Sequence, residues 1–317
     1  MVTGYDYICF EMKKEDKSPH KFETLSDAYR AFGLPQPKHP LISIINGIPS
    51  GSELQQTPQH HILGFYKISF KPKLAGKLKY GQGYYDFDEG GLLFASPGQV
   101  IGATENEAPV CSEYTLLIHP DFFLGYPIAK KISQYGFFSY TANETLHLSE
   151  SEKATIISIF RIMEEELNSR IDDFSQDVII AQIQLLLNYA NRFYKRQFIT
   201  RKVVNHDLLQ RLEDLLADYF NNEYALSKGI PTVQYLAENL NLSPSYLSDM
   251  LRALTGQNAQ QHIHDKLIEK AKEKLSTTTL SVSEVAYMLG FEHPQSFSKL
   301  FKTKTKSSPL EFRRSFN

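Results

Sequence analysis

The sequence predicts an α+β protein in which a β-rich N-terminal part precedes a helical C-terminal part. Residues 1–150 contain short runs of aromatic and β-branched residues separated by Gly and Pro, a pattern typical of a β-sandwich or a small barrel. From residue 151 onward the apolar residues recur instead at intervals of three and four, as on one face of a helix. We therefore expect a β domain at 1–150, a helical segment at 151–199 and an all-α domain at 206–317.

Composition is that of an ordinary globular protein, with 42% hydrophobic and 22% charged residues. The two cysteines, Cys9 and Cys111, are too few for a disulfide framework, which favours a reducing compartment. No basic start is followed by a long apolar run, and no window approaches the roughly 20 apolar residues that a membrane span needs. We expect a cytoplasmic protein without a signal peptide or a membrane partner.

Charge is distributed unevenly along the chain. Residues 228–317 contain 12 Lys and Arg against 8 Asp and Glu, whereas the preceding residues contain 22 against 28. Most of the basic excess lies after residue 298. A basic C-terminal part hints at a nucleic-acid partner, although a charge run is more often an ordinary solvated face.

The N-terminal part contains four predicted strands. They lie at 61–70, at 84–91 where Gly-Gly ends the strand in a turn, at 92–98 where Pro97 and Gly98 stop it, and at 114–118. The stretch 121–140 is predicted to be loop with one short helix. Short strands with frequent turns favour a sandwich or a small barrel.

Two helices are predicted in the central segment, one after Ser149 and one from about 176 to 198. The second is apolar over more than one stripe, so it must bury more than one face. One face is expected to cover the β domain while another pairs with a second chain in a homodimer; the alternative is that one chain buries both faces. The residues expected to mediate dimerisation are Ile179, Ile183, Leu186 and Phe193.

The C-terminal part contains the same apolar pattern twice between Thr232 and Arg313. In each copy, apolar residues at i, i+3, i+4 and i+7 precede a turn residue that tolerates positive φ, and a second helix follows. Two short helices packed through one stripe each describe a helix-turn-helix, which points to DNA. The first copy comprises Val233, Leu236, Ala237, Leu240, Asn241, Leu247, Met250 and Leu251, and the second comprises Val282, Val285, Ala286, Leu289, Gly290, Phe297, Leu300 and Phe301.

Helix ends in the repeat are well signalled. Ser281 and Glu284 have capping-box spacing, and Ser243 with Pro244 is an N-cap followed by Pro at the first helical position. Between the copies, residues 258–275 form a polar-faced helix that would be about 27 Å long. Successive major-groove faces of B-DNA lie about 34 Å apart, so this connector would let one chain place both second helices on one side of a duplex.

The residues that point away from the apolar triplets are the candidates to face DNA bases. Gln reads adenine, Ser reads several bases, and Lys reaches guanine or phosphate. Asp249 either accepts from a cytosine amino group or orients Arg252, and we favour the second role. The first copy has fewer long donors, so much of its role is expected to be positioning through phosphates. The DNA-binding candidates are Ser245, Ser248, Asp249 and Arg252 in the first copy and Gln295, Ser298, Lys299 and Lys302 in the second.

Five C-terminal stretches resemble the DNA-binding domain of AraC/XylS-type transcriptional regulators. They are PTVQYLAENLNLSPSYLSDML at 231–251, LIEKAK at 267–272, SEVAYMLGF at 283–291, FSKLFK at 297–302 and SPLEFR at 308–313. The resemblance implies two helix-turn-helix units joined by a long helix and binding to promoter DNA, usually under an N-terminal sensor domain. Lys306 stands where that family usually has Gly, and Gly256 fills the matching site of the first copy. If the backbone at Lys306 is left-handed, that residue costs about 1 kcal/mol.

The N-terminal part resembles the cupin-like (jelly-roll) sensor domain of the same family mainly through its strand pattern and residues 94–98. Metal-binding cupins commonly carry a His just after such a Pro-Gly turn, whereas Gln99 follows here. His60 and His61 are adjacent, so on a strand they point to opposite faces. No metal and no cofactor are therefore expected. Aromatics at strand spacing either line an effector pocket or form the core; the effector-binding candidates are Phe65, Tyr66, Tyr84, Tyr85 and Phe94.

The sequence thus favours a sequence-specific transcriptional regulator over an enzyme. Its expected partners are double-stranded promoter DNA, an unknown small-molecule effector in the N-terminal domain, a second copy in a homodimer and, if it is an activator, RNA polymerase. The alternative is a cupin-type enzyme or carbohydrate-binding protein with an accessory helical domain. A further alternative is a regulator whose N-terminal domain binds a protein partner or nothing.

Overall fold

The computed structural model describes residues 19–47, 60–72, 77–80, 83–86, 90–102, 112–141, 144–169, 174–200 and 202–316. Cys9, Cys111 and residues 87–89 of the second predicted strand lie outside these residues. The β-rich part precedes the helical part, so the predicted α+β class is confirmed. The strands are β1 (His20–Phe22), β2 (Ile42–Asn46), β3 (His60–Leu63), β4 (Tyr66–Lys71), β5 (Lys77–Tyr80), β6 (Gly83–Asp86), β7 (Gly91–Ala95), β8 (Val100–Gly102), β9 (Tyr114–Ile118) and β10 (Leu146–His147).

The helices account for the rest of the described architecture. Short 3₁₀ turns at Pro120–Phe123, Ile132–Gln134 and Gly136–Ser139 connect the strands to the long helices. The α-helices are α1 (Leu25–Ala31), α2 (Ile128–Lys131), α3 (Glu150–Asn168), α4 (Ser175–Thr200), α5 (Lys202–Asn221), α6 (Tyr224–Lys228), α7 (Val233–Leu240), α8 (Pro244–Thr255), α9 (Ala259–Thr277), α10 (Val282–Met288), α11 (Pro294–Thr305) and α12 (Pro309–Arg314).

Three sheets are formed by the described strands. The largest is antiparallel with the order β10-β7-β4-β9-β2, the second has the order β1-β3-β8, and β5 pairs with β6. The predicted strand at 61–70 is two strands, because the chain leaves one sheet after Leu63 and enters the other at Tyr66. Gly64 lies at this crossing, where an added Cβ would stand 3.0 Å from the Glu23 carboxylate.

The large sheet packs one face on the helices. Ile68 lies opposite Phe94 and Leu116 on neighbouring strands, and all three side chains are buried. This face, together with α3 and α4, forms a continuous apolar core that extends to Leu247, Met250 and Leu251 of α8. The first copy of the C-terminal repeat therefore shares its core with the N-terminal half of the chain.

A separate apolar core holds the second copy of the repeat. It joins the end of α5 and α6 to α10, α11 and the second half of α9. Helix α9 bridges the two cores, because Ile263 belongs to the first and Leu267 to the second. None of the described helices is long and apolar enough to cross a membrane.

Helix continues through most of the interval between the predicted helical segment, 151–199, and the predicted C-terminal domain, 206–317. Helix α4 continues to Thr200 and α5 begins at Lys202, so the polar residues after 200 start a helix. Helix α3 begins where it was predicted: Ser149 is its N-cap, and a capping box with Glu152 is present.

Lys306 adopts the left-handed conformation, so the condition under which it would cost stability is met. Its φ is 66°, and the matching Gly256 has a φ of 79°. A non-glycine residue there brings its Cβ close to the following carbonyl oxygen, at a cost of roughly 1–2 kcal/mol. Each residue ends the second helix of its copy, with its amide bonded to the carbonyl four residues earlier.

We predict that Lys306→Gly raises the unfolding free energy of the C-terminal core by up to about 1 kcal/mol, because relief of strain exceeds the added chain entropy of Gly. Urea unfolding followed by circular dichroism measures this change. The matched substitution Gly256→Lys should lower stability by a similar amount. A loss of stability in Lys306→Gly would contradict the strain argument.

Candidate nucleic-acid interface

The first helix-turn-helix consists of α7 and α8. Asn241 ends α7 with a φ of 56°, the left-handed conformation predicted for the turn. Ser243 then caps α8, with its side chain accepting from the amide of Tyr246 at 3.2 Å. Ala237 is fully buried. Its small side chain is what a close helix crossing requires.

The second helix-turn-helix consists of α10 and α11. The predicted capping box is present, since Ser281 and Glu284 exchange hydrogen bonds, and those bonds lower the pKa of the Glu284 carboxyl. Gly290 in the turn has a φ of 88°, and a Cβ there would stand 2.6 Å from the carbonyl carbon of Gly229. Both the backbone conformation and the close approach therefore require Gly at this position.

Helix α9 separates the two units as a rigid connector. It begins with a capping box between Asn258 and Gln261, and its 19 residues give a length of about 28 Å. Asp265 on α9 pairs with Lys304 on α11 at 2.6 Å, and Arg313 donates to the Leu275 carbonyl at 3.2 Å. The second unit is thus tied to the connector along much of its length.

The outward face of α11 is open. Gln295, Lys299 and Lys302 are exposed and Ser298 is half-buried. Helix α11 packs on α9, α10 and α12, which leaves this face to solvent. Lys304, Lys306, Arg313 and Arg314 add positive charge nearby, as a phosphate-binding surface requires.

The outward face of α8 is partly covered. Arg252 is exposed, but Ser245, Ser248 and Asp249 are half-buried. The contact favoured from sequence is present, since Arg252 pairs with Asp249 at 2.7 Å. The second carboxylate oxygen of Asp249 accepts from the Tyr140 hydroxyl at 2.9 Å.

Tyr140 and Gly136 bring the N-terminal half against Asp249. Burial, reinforced by the charge of Asp249, raises the pKa of the Tyr140 phenol, so the phenol remains protonated and donates. A Cβ at Gly136 would stand only 2.2 Å from the Asp249 carboxylate. Glycine at 136 therefore allows the 3₁₀ turn to lie directly on α8.

Glu144 binds the beginning of α8 from the N-terminal half. Its carboxylate accepts from the Ser243 amide and from the Ser243 hydroxyl, each at 2.6 Å. It also accepts from the Thr141 amide at 2.7 Å, and the residue is only 2% exposed. A carboxylate at a helix N-terminus satisfies a free amide and interacts favourably with the helix dipole.

Aromatic rings complete the contact between α8 and the N-terminal half. The ring of Tyr246 meets Tyr140 and Phe198 edge to face, with centroids 5.1 Å away in both pairs. Such pairs add roughly 0.5–1.5 kcal/mol beyond their area burial. We call the set Tyr140, Glu144 and Phe198 with Ser243, Tyr246 and Asp249 the α8 clamp.

The α8 clamp covers part of the outward face of α8. The segment that carries Gly136 and Tyr140 lies directly on Asp249, one of the four DNA-binding candidates on this helix. On α11, by contrast, Gln295, Lys299 and Lys302 are exposed. In this conformation the outward face of α11 is therefore more accessible than that of α8.

The predicted dimerisation residues lie inside the single chain. Ile179, Ile183, Leu186 and Phe193 are all buried in the core that α4 shares with α3 and the large sheet. Their side chains are not accessible to a second chain. The prediction that these four residues mediate dimerisation is therefore corrected: they follow the alternative, burial within one chain.

The effector-binding prediction is corrected in the same way for three of its five residues. Phe65 is fully buried in a small core with α1, and Phe94 packs on Phe137 and Phe138. Tyr66 packs on Phe123 and Phe138. Phe65 and Phe94 are core residues, and Tyr66 is half-buried against the core, so these rings follow the other outcome that the sequence left open. The side chains of Tyr84 and Tyr85 lie outside the described part.

Sequence reasoning missed three chemically distinctive residues of the N-terminal half. Tyr140 and Glu144 belong to the α8 clamp. Lys67 lies on the face of β4 turned away from α3 and α4, where burial and the charge of Lys71 lower the pKa of its ammonium to about 8. A lysine in a predicted strand was the available signal for Lys67.

Among the described residues, no group of three or more His, Cys, Asp or Glu side chains is arranged to hold a metal ion.

A family model described as a helix-turn-helix domain matches residues 236–315. The uncharacterized HTH-type transcriptional regulator YijO of Escherichia coli is 31% identical over 108 residues, 34% of this chain and 37% of that protein. The raffinose operon transcriptional regulatory protein RafR of Pediococcus pentosaceus is 34% identical over 102 residues, 32% of this chain and 36% of that protein.

Among solved structures, the C-terminal domain of the two-component response regulator yesN from Fusobacterium nucleatum is 34% identical. It covers 32% of this chain and 96% of its own, with a TM-score of 0.28. The chain thus matches little more than a third of the length of YijO and RafR.

The Ser243 amide reports directly on the α8 clamp, because its acceptor is the Glu144 carboxylate. We predict that Glu144→Gln speeds hydrogen exchange at Ser243 and Tyr246 by about five- to tenfold, since a bond to a neutral acceptor is about 1 kcal/mol weaker than one to a charged acceptor. Glu284→Gln, which alters a local cap of α10, is the matched control and should leave these amides unchanged. Equal exchange in Glu144→Gln and the unaltered protein would show that the clamp does not restrain α8.

Proposed function

Because its C-terminal region is a helix-turn-helix domain of the AraC type, we propose that this protein is a sequence-specific, DNA-binding transcriptional regulator. The observation that carries the proposal is the placement of two reading helices, α8 and α11, at either end of a connector about 28 Å long. That length suits adjacent major-groove faces on one side of a duplex. The related regulators YijO and RafR support the same function.

The two units have different roles in the proposed complex. Helix α11 provides Gln295 and Lys299 to base edges, while Lys302 and the basic residues after it bind phosphates. Helix α8 provides Ser245, Ser248 and Arg252 once the α8 clamp has opened. A small-molecule effector controls that opening, the regulator acts in the cytoplasm on promoter DNA, and an activating output would involve RNA polymerase.

We predict that Gln295→Ala weakens binding to specific DNA by about 1–3 kcal/mol and leaves non-specific binding nearly unchanged, because a bidentate base contact is lost. Lys302→Ala should weaken both kinds of binding and reduce the slope of affinity against salt by about one unit. Fluorescence anisotropy on DNA selected from a random pool, beside scrambled DNA, measures both. Lys270→Ala removes one positive charge from α9 and is the matched control for Lys302→Ala. Equal losses on both DNAs for Gln295→Ala would assign that residue to the phosphates.

A homodimer is the second part of the proposal, and the outer face of α4 supports it. Phe174, immediately before this helix, is 70% exposed, and Val178 and Leu185 on the helix are 38% and 42% exposed. Together with Ala181, Asn188 and Arg192 they recur at intervals of four and three, the spacing of a coiled-coil seam. The partner is a second copy of the same helix, because a stripe at this spacing is complementary to its own kind.

We predict that Leu185→Asp gives monomers in sedimentation equilibrium, because a charge in the seam must be desolvated for the helices to pair. Ile162→Asp changes an equally exposed apolar residue on α3 and should leave the mass of the dimer unchanged. A dimer that persists in a folded Leu185→Asp protein would place the interface elsewhere.

A further inference from the structure

A cleft of about 630 Å³ lies at the α8 clamp, between the two halves of the chain. Ligand sites typically occupy 300–1,000 Å³, so the space suits a small molecule. Its walls come from the segment 131–140, from the C-terminal part of α4 and from α8. The lining includes Tyr140 and Asp249, the pair that joins the two halves.

The cleft is positively charged. Lys131, Lys195 and Arg252 line it, against Asp249 as the one lining carboxylate. Asp249 is already bonded to Arg252 and Tyr140. Within the part of the chain that the structure describes, Lys131 and Lys195 form no ion pair. The two ammonium groups are therefore available to an anion.

The remaining walls are flat and apolar. Phe137 stacks on Tyr194 with centroids 5.5 Å apart and planes 12° apart. Tyr135 lies against Phe137 at 5.2 Å, and Phe198 and Ile199 continue the apolar wall. Phe137 and Tyr194 are buried behind this wall, whereas Tyr135 is half-buried and Ile199 is exposed. The surfaces of Tyr135 and Ile199 accept a planar body, and the ammonium groups accept its charged group.

We propose that this cleft binds a small organic acid with a flat apolar body. Its carboxylate lies between Lys131 and Lys195, and its ring lies against Tyr135 and Ile199. The ligand contacts both halves of the chain and so stabilises the conformation in which the α8 clamp is closed. It therefore lowers affinity for DNA.

The size of this effect follows from linkage and rests on the proposed DNA-binding function. A ligand that binds only the closed conformation multiplies the equilibrium constant for closing. The factor is one plus the ratio of the ligand concentration to its Kd. At a ligand concentration about 100 times the Kd, affinity for specific DNA falls by up to about 100-fold. By the same linkage, DNA at about 100 times its own Kd lowers affinity for the ligand by up to about 100-fold.

The binding site is tested by calorimetry on the full chain without DNA. Benzoate, naphthoate and indole acetate are the probes, each compared with its neutral amide. At least one acid should bind saturably and at least tenfold more tightly than its amide. Lys131→Gln/Lys195→Gln should weaken that acid at least tenfold, whereas Lys130→Gln, one residue outside the cleft, should not. Equal binding of acid and amide, an unaffected double variant, or no saturable binding of any acid at millimolar concentration would overturn the site.

The consequence for DNA is tested by anisotropy with selected DNA and the acid that bound. The acid should weaken DNA binding by the unaltered protein. Gly136→Ala should remove that sensitivity, because its added Cβ displaces the Asp249 carboxylate and opens the clamp. Equal DNA affinity with and without the acid would overturn the coupling. If the protein binds the acid but no DNA can be selected, the cleft is supported and the proposed regulator is refuted. Failure of the ligand site and failure of the proposed function are therefore distinguishable.

Discussion

The carboxylate of Glu144 at the start of α8 is the interaction on which the arrangement of the two halves depends. A buried charge is stable only when donors surround it, and Ser243 supplies two of its three. Separation of α8 by a small distance would remove those donors before water could reach the carboxylate. Intermediate positions are therefore unfavourable, and the two halves are either in full contact or apart.

The apolar cores reinforce this two-state behaviour. The first helix-turn-helix shares its core with the N-terminal half, and the second has a core of its own. A change in the N-terminal half thus reaches α8 through direct contacts, while it reaches α11 through α5 and α9, which contribute to both cores. The two units of the repeat are similar in sequence pattern and differ in what restrains them.

Much of the C-terminal part was predictable because its determinants are local. The caps at Ser243 and Ser281, the left-handed residues Asn241 and Lys306 and the pair Asp249–Arg252 each involve residues within a few positions of one another. Helix α4 was predicted with nearly correct ends. Its buried and exposed stripes were not told apart, because both have helical spacing and the sequence does not state which one the sheet covers.

The α8 clamp was beyond sequence reasoning for a physical reason. Glu144 and Ser243 are 99 residues apart, and Tyr140 and Asp249 are 109 apart. No spacing rule relates such positions, and the segment around residue 136 has the composition of a loop. The aromatic residues of the β part had the same ambiguity. Every second side chain of a strand lies on the same face of the sheet, whether that face belongs to the core or lines a pocket. The helices packed on the sheet determine which of the two it is.

In the proposed complex with DNA, the open face of α11 sets an order of events. Its lysines attract phosphates over a distance of about one Debye length, so the first encounter forms through the second unit and depends on salt. Release of α8 follows as an intramolecular step whose rate does not depend on DNA concentration. The observed rate of association should therefore reach a plateau as the DNA concentration rises. The residence time on DNA is governed by how often α8 returns to Glu144.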